Sequence, residues 1–242
     1  MREKLPISKS KEQLIKGVNP IFACIGTLED FENSLKTAPH INDDFGLNNV
    51  QNVDWFRGHT EYEGSLGAGP GTYIISPINT FNKLSRGFYC CTGLIVAGIT
   101  PDGQKISFLT HQDPHMLVPS LRDKFMSDLK QRLNDMKKRC KNGTIDAVIV
   151  GGEVNDISIE NVYIDSIKLL GKEVQENLGF EPMVINGPKI SMLRDTVGYD
   201  NENRRIYFIR PETTQVEHSS AEDFIPSDFP ANKVDKYKNK WR

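Results

Sequence analysis

No apolar run in the 242 residues approaches the roughly 18–20 that a bilayer-crossing helix needs. The start, MREKLPISKSKEQ, is basic but has no hydrophobic segment behind it, so a Sec-type leader is not expected. Neither sign of charge is in excess: 30 basic and 32 acidic side chains leave a formal net charge of −2. That removes the simplest electrostatic basis for binding nucleic acid or a membrane surface. Cysteine is scarce. The four, Cys24, Cys90, Cys91 and Cys140, include no CxxC pair, and they are too few for a disulfide scaffold in a chain this long. Zinc-ribbon and thioredoxin-type motifs are therefore excluded. Reduced thiols are expected, with a strained bridge between adjacent Cys90 and Cys91 as the alternative. These absences predict a soluble protein of the cytoplasm, or one exported by a signal-independent route as an effector, with no nucleic-acid partner and no membrane insertion.

What is present is clearest in the middle of the chain. The runs GLIVAGI, residues 93–99, and KISFLT, residues 105–110, are β-rich and joined by Thr100-Pro101-Asp102-Gly103-Gln104. Pro-Asp-Gly is a strong turn signal, so the two runs predict an antiparallel hairpin. From Ser120, the residues Leu121, Phe125, Leu129, Leu133, Met136 and Cys140 trace one face of a helix. Lys137, Lys138 and Arg139 suit its negative C-terminal end, and Gly143 is a stop. Residues 145–150 read as a buried strand ending at Gly151-Gly152, and residues 159–178 as a second amphipathic helix closed by Gly179. Strands follow at 183–186 and 205–210. The predicted fold class is α/β (α+β), a mixed, largely antiparallel sheet or sandwich with helices packed on it. Residues 1–60 read as an irregular N-terminal extension or subdomain with one short helix near 28–35, and residues 213–242 as a polar tail. The core spans 61–212.

The hairpin frames the chemistry. Cys91 stands just before its first strand and His111 just after its second. With the turn near Asp102-Gly103, the two fall within about three residues of facing each other. A thiol and an imidazole at one sheet end are the minimum unit of cysteine nucleophilic catalysis: the imidazole takes the thiol proton and later delivers it to the leaving group. The plainer alternative makes Cys91 a small core hydrophobe and His111 a strand-end polar residue.

The segment Ser85-Arg86-Gly87-Phe88-Tyr89-Cys90-Cys91-Thr92, the hairpin and His111 together resemble the chemoreceptor glutamine deamidases, the CheD family, which share a Cys–His core with the cytotoxic necrotizing factor toxins. The order downstream is similar too: a helix, a strand ending in Gly-Gly (IDAVIVGGE), a helix (NVYIDSIKLLGKEVQENLGF), a loop with an arginine (SMLRDTVG) and a last strand (RRIYFIR). The resemblance covers about residues 72–212. It implies a CheD-like fold, Cys91 as nucleophile and His111 as general base and acid. Ser85 stands where the chemoreceptor enzymes carry a histidine-orienting threonine. Tyr89-Cys90 stand where they carry Gly-Ser, and only Cys91-Thr92 match the Gly-Cys-Thr of the toxins. The implied activity is protein-glutamine deamidation through a Cys91 thioester. The implied partner is a target protein carrying a reactive glutamine, with no cofactor.

Other constellations stay beside this one. Cys90 is the rival nucleophile, set by strand alternation on the opposite side from Cys91. His111, Asp113 and His115 alternate as metal ligands would, although Pro114 argues against a regular strand there. The glycines of GSLGAGPG, residues 64–71, lack the GK[ST] and the following helix of a phosphate loop and read as a turn. A non-catalytic interaction protein on the same fold, or a cysteine hydrolase or transglutaminase with another substrate, fits the same residues.

Overall fold

The computed structural model describes residues 12–15, 21–26, 50–52, 73–88, 91–113, 119–151, 157–186 and 195–209. They form two sheets and two helices. The strands are β1 (Glu12–Ile15), β2 (Ile21–Gly26), β3 (Val50–Asn52), β4 (Tyr73–Ile75), β5 (Asn82–Phe88), β6 (Thr92–Ile99), β7 (Lys105–Gln112), β8 (Asp146–Gly151), β9 (Met183–Asn186), β10 (Asp195–Asp200) and β11 (Arg205–Ile209). Helix α1 spans Pro119–Arg139 and α2 spans Ile157–Leu178. One sheet has the order β1-β2-β11-β10-β5-β3 and the other β4-β7-β6-β8-β9. Most pairings are antiparallel; β2 with β11, β3 with β5 and β8 with β9 are parallel. The mixed, largely antiparallel α/β architecture is as the sequence predicts.

The five-stranded sheet is the middle layer. Its alternate residues separate into two cores, as the period of two along a strand requires. Leu94, Val96, Ile106, Phe108, Ala147, Ile149 and Val184 meet the helices, which contribute Phe125, Leu129, Leu133 and Met136 from α1 and Ile164, Ile167, Leu170 and Val174 from α2. Ile74, Ile95, Ala97, Leu109, Val148, Val150 and Ile185 meet the six-stranded sheet through Phe88, Val197, Tyr199, Ile206 and Phe208. Burial on both faces explains why β6 and β8 read as continuous apolar runs. Among the described residues no helix is long and apolar enough to cross a membrane.

Helix α1 buries Phe125, Leu129, Leu133 and Met136 of the predicted stripe and ends with Lys137, Lys138 and Arg139 in its last turn. Gly179, at φ 84°, closes α2 by donating its N–H to Gln175 O at 3.0 Å. The hairpin turn is likewise as expected. Ile99 pairs with Lys105, Thr100 N donates to Gln104 O at 2.9 Å, and Gly103 takes a φ of 92° that a β-carbon would strain.

Three expectations need correction. Residues 12–15, 21–26 and 50–52 form strands in a segment read as irregular; β2 pairs with β11, and β3 with β5. The arginine loop gives way to strand β10 from Asp195. Strand β5 was not foreseen, because its inward positions carry Lys83 and Ser85, which invert the usual apolar-in pattern. The expected helix near 28–35, the glycine-rich segment 64–71 and the tail 213–242 lie outside the described residues.

The sheets are tied together at the hairpin-turn end. Arg204 Nη2 contacts Asp146 Oδ2 at 2.7 Å and Asn201 Nδ2 donates to Lys105 O at 2.6 Å, while within the six-stranded sheet Asn201 N donates to Asn82 Oδ1 at 2.7 Å. The opposite end of the same strands holds Cys91, Ser85 and His111.

Candidate functional site

Register builds the site. The hairpin pairs Thr92 with Gln112, so Cys91 falls opposite Asp113 and two positions from His111, inside the predicted three. Residues opposite one another in an antiparallel pair share a face, which puts Cys91 and His111 on the same side of the middle sheet as diagonal neighbours. That side is the layer between the sheets, where Cys91 is packed with Phe88, Ile74 and Val150. Cys91 is 4% exposed and His111 fully buried.

The six-stranded sheet supplies the third residue. Ser85 on β5 lies in the same layer, its Oγ 2.8 Å from His111 Nδ1, with both side chains fully buried. The structure thus brings together Cys91, His111 and Ser85, one from each of three chain segments. Cys91 and Cys140 are both buried, and no disulfide joins them to each other. Cys90, Tyr89 and His115 lie outside the described residues. Asp113 follows β7 in a half-buried position. Among the described residues no three His, Cys, Asp or Glu side chains are grouped as a metal site needs.

Two residues that sequence reasoning missed enclose the imidazole. Phe88 stacks on His111 with ring centroids 3.9 Å apart and planes 14° from parallel. Gly93 stands opposite His111 in the hairpin register; a β-carbon there would lie 2.5 Å from Thr110 O and 2.9 Å from Phe88 Cε1. Only glycine leaves room for the strand and the phenyl ring to approach so closely. On the other flank Ile74 of β4 is paired with His111.

This enclosure sets the electrostatics. Burial alone drives the imidazole from its ordinary 6.5 down to about 3, so His111 is neutral across physiological pH. A neutral imidazole has one donor and one acceptor nitrogen. When Nδ1–H donates to Ser85 Oγ, the lone pair sits on Nε2, where it can accept a proton; burial keeps that basicity weak until a negative charge, such as the Cys91 thiolate, forms beside the ring. Cys140 differs: burial pushes its thiol up to about 11, which makes it the unreactive internal comparison for Cys91.

Lys83 lies on the same face of β5 as Ser85 but belongs to the other end of the layer. Its Nζ donates to Asn79 Oδ1 at 2.5 Å and to Phe81 O at 2.6 Å, and complete burial lowers its pKa to about 7. Behind the site, on the helix side of the sheet, Thr92, Thr110, Gln112 and Ser166 are all fully buried. The signal for the first three was present as polar residues at alternate positions of otherwise apolar strands. Their partner on α2 had no sequence signal.

Compared with known proteins, the chain matches no family model, and no curated protein matches it.

Proposed function

We propose that the chain is a protein-glutamine deamidase, a thiol amidohydrolase with Cys91 as nucleophile, His111 as base and acid, and Ser85 as the residue that orients His111. The observation that carries this reading is the Ser85 Oγ to His111 Nδ1 contact of 2.8 Å, made inside the layer that also holds Cys91. It holds the plane of the imidazole, and with Nδ1–H donating to the hydroxyl it leaves Nε2 as the acceptor nitrogen that a base uses. The resemblance of residues 72–212 to the CheD family supports the same assignment.

In the reaction, His111 Nε2 takes the Cys91 proton as Sγ attacks the side-chain carboxamide carbon of a glutamine in a target protein. Backbone N–H groups, that of Cys91 included, hold the oxyanion. His111 returns the proton to the departing nitrogen, which leaves as ammonia. Water, deprotonated by His111, then attacks the thioester carbon; the C–S bond breaks and glutamate is left on the target. No cofactor enters. The substrate is a protein carrying a reactive glutamine, in the cytoplasm or in a cell into which the chain is delivered by a signal-independent route.

A non-catalytic interaction protein on the same frame is the second reading, and the near-complete burial of Cys91 favours it. The two separate in one experiment. A panel of glutamine-bearing proteins is incubated with the full chain, and ammonia release and amide-to-acid mass shifts are read together. The deamidase reading expects both signals, and expects Cys91→Ser and His111→Ala to abolish them. A cut chain without ammonia points to a peptidase, and silence from a folded chain across the panel to the interaction protein.

A further inference from the structure

Thr92 follows Cys91 and Gln112 follows His111, and the two side chains are bonded to each other on the reverse face of the sheet. The Leu94 N–H donates to Thr110 Oγ1 at 2.9 Å, and the Thr110 hydroxyl donates to Gln112 Oε1 at 2.8 Å. Gln112 Nε2 donates to Thr92 Oγ1 at 3.0 Å, and Thr92 Oγ1 lies 2.6 Å from Ser166 Oγ on α2. The chain of bonds runs from a backbone amide of β6, through β7 and back to β6, and ends on a helix. All four side chains are fully buried.

The place where these bonds occur is unusual in the sheet. Pairing between β6 and β7 passes from Thr92↔Gln112 to Ile95↔Leu109 and skips Gly93 and Leu94, which stay paired with Val150 and Ile149 of β8. There the Leu94 N–H goes to a threonine side chain, and Thr110 O closes on Gly93. The backbone ladder is therefore interrupted beside His111, and side chains hold the two strands in place of it. For packing alone this is a poor choice, because valine and leucine at these positions would join the helix-side core without four polar groups to satisfy.

We infer that Thr92 and Gln112 are positioning residues that set the spacing of Cys91 and His111 across the ladder interruption, with Ser166 tying that spacing to helix α2. The inference rests on the Cys–His reading above and deepens it. Neither residue touches the reacting atoms; each acts through the neighbour that precedes it. A shift of about 1 Å between a base and its nucleophile is enough to cost on the order of a hundredfold in rate.

The test reads the pH profile of Cys91 alkylation by iodoacetamide, resolved from Cys140 by mass spectrometry. Thr92→Val keeps the side-chain shape and removes the hydroxyl; Thr92→Ser keeps the hydroxyl. Thr92→Val is expected to lower the His111-dependent part of the Cys91 rate below pH 8 by about tenfold or more, and Thr92→Ser to restore it. Cys140 stays silent in both. A Thr92→Val profile equal to wild type overturns the inference. If Cys140 becomes reactive in Thr92→Val, the fold has been lost and Ser166→Ala takes its place; a wild-type profile there overturns the inference equally. Coincident profiles for wild type and His111→Ala sink the dyad and this inference with it. A difference between those two, beside an unchanged Thr92→Val, sinks this inference alone.

Discussion

Between pH 6 and pH 4 the folded chain is expected to lose on the order of 1 kcal/mol of stability per pH unit through His111 alone. In the fold the imidazole holds its proton only below about 3, because it is fully buried, against 6.5 when free. In that window the unfolded chain binds a proton that the folded chain does not, so acid favours unfolding. The stability is fully present above 6.5 and is lost as pH falls toward 3. Over the whole interval it amounts to about 4–5 kcal/mol, a large part of the 5–15 kcal/mol that a domain usually has. Carboxylates also titrate there, so the clean quantity is a difference of slopes. His111→Asn keeps a polar atom where Nδ1 meets Ser85 and does not titrate. Urea unfolding followed by circular dichroism at several pH values should give wild type the steeper dependence. Parallel lines would mean that His111 is not held neutral by burial.

Phe88→Ala is expected to cost about 3–5 kcal/mol, the range for emptying a large aromatic site in a core. The side chain is 1% exposed, stacks on His111 and fills the space over Gly93. Its removal does more than open a cavity. Burial is what holds His111 down, so water admitted beside the ring should bring its pKa back up toward 6.5. The two effects have different readouts. Unfolding in urea reports the stability, and an NMR titration of the imidazole reports the pKa. Phe88→Leu, which refills part of the volume, should fall between wild type and alanine in both. A loss below about 1 kcal/mol with an unmoved histidine would contradict this role for the stack.

Much of the middle layer was legible because its signals are local. Pro101-Asp102-Gly103 marks the turn, the steps from Phe125 to Met136 mark a helix face, and β6 and β8 are apolar throughout. Once the hairpin was placed, Cys91 and His111 came together by counting along it. Ser85 came through the resemblance rather than through any pattern, since its strand hides behind an inward lysine. Phe88 and Gly93 were not legible, because their value lies in a contact between two sheets. The Thr92–Gln112–Ser166 bonds join residues 20 and 74 positions apart. A buried hydroxyl in a strand announces a partner without naming it. Residues 12–15 and 21–26 were misread because the Pro and Asn/Asp content of the surrounding segment outweighed runs of four and six residues.

The central claim is that His111 governs the chemistry of Cys91. It is tested most directly by the pH dependence of iodoacetamide alkylation at each cysteine, in wild type and in His111→Ala. The shape of the profile matters rather than the absolute rate, since the 4% exposure of Cys91 slows any reagent. The account expects Cys91 to keep reacting well below the free-thiol pKa of about 8.5, with that low-pH branch missing in His111→Ala. Cys140 should stay inert in both. A Cys91 that reacts only as free thiolate forms, with the same profile in both proteins, would contradict the claim and leave a cysteine packed beside a histidine with no chemistry between them.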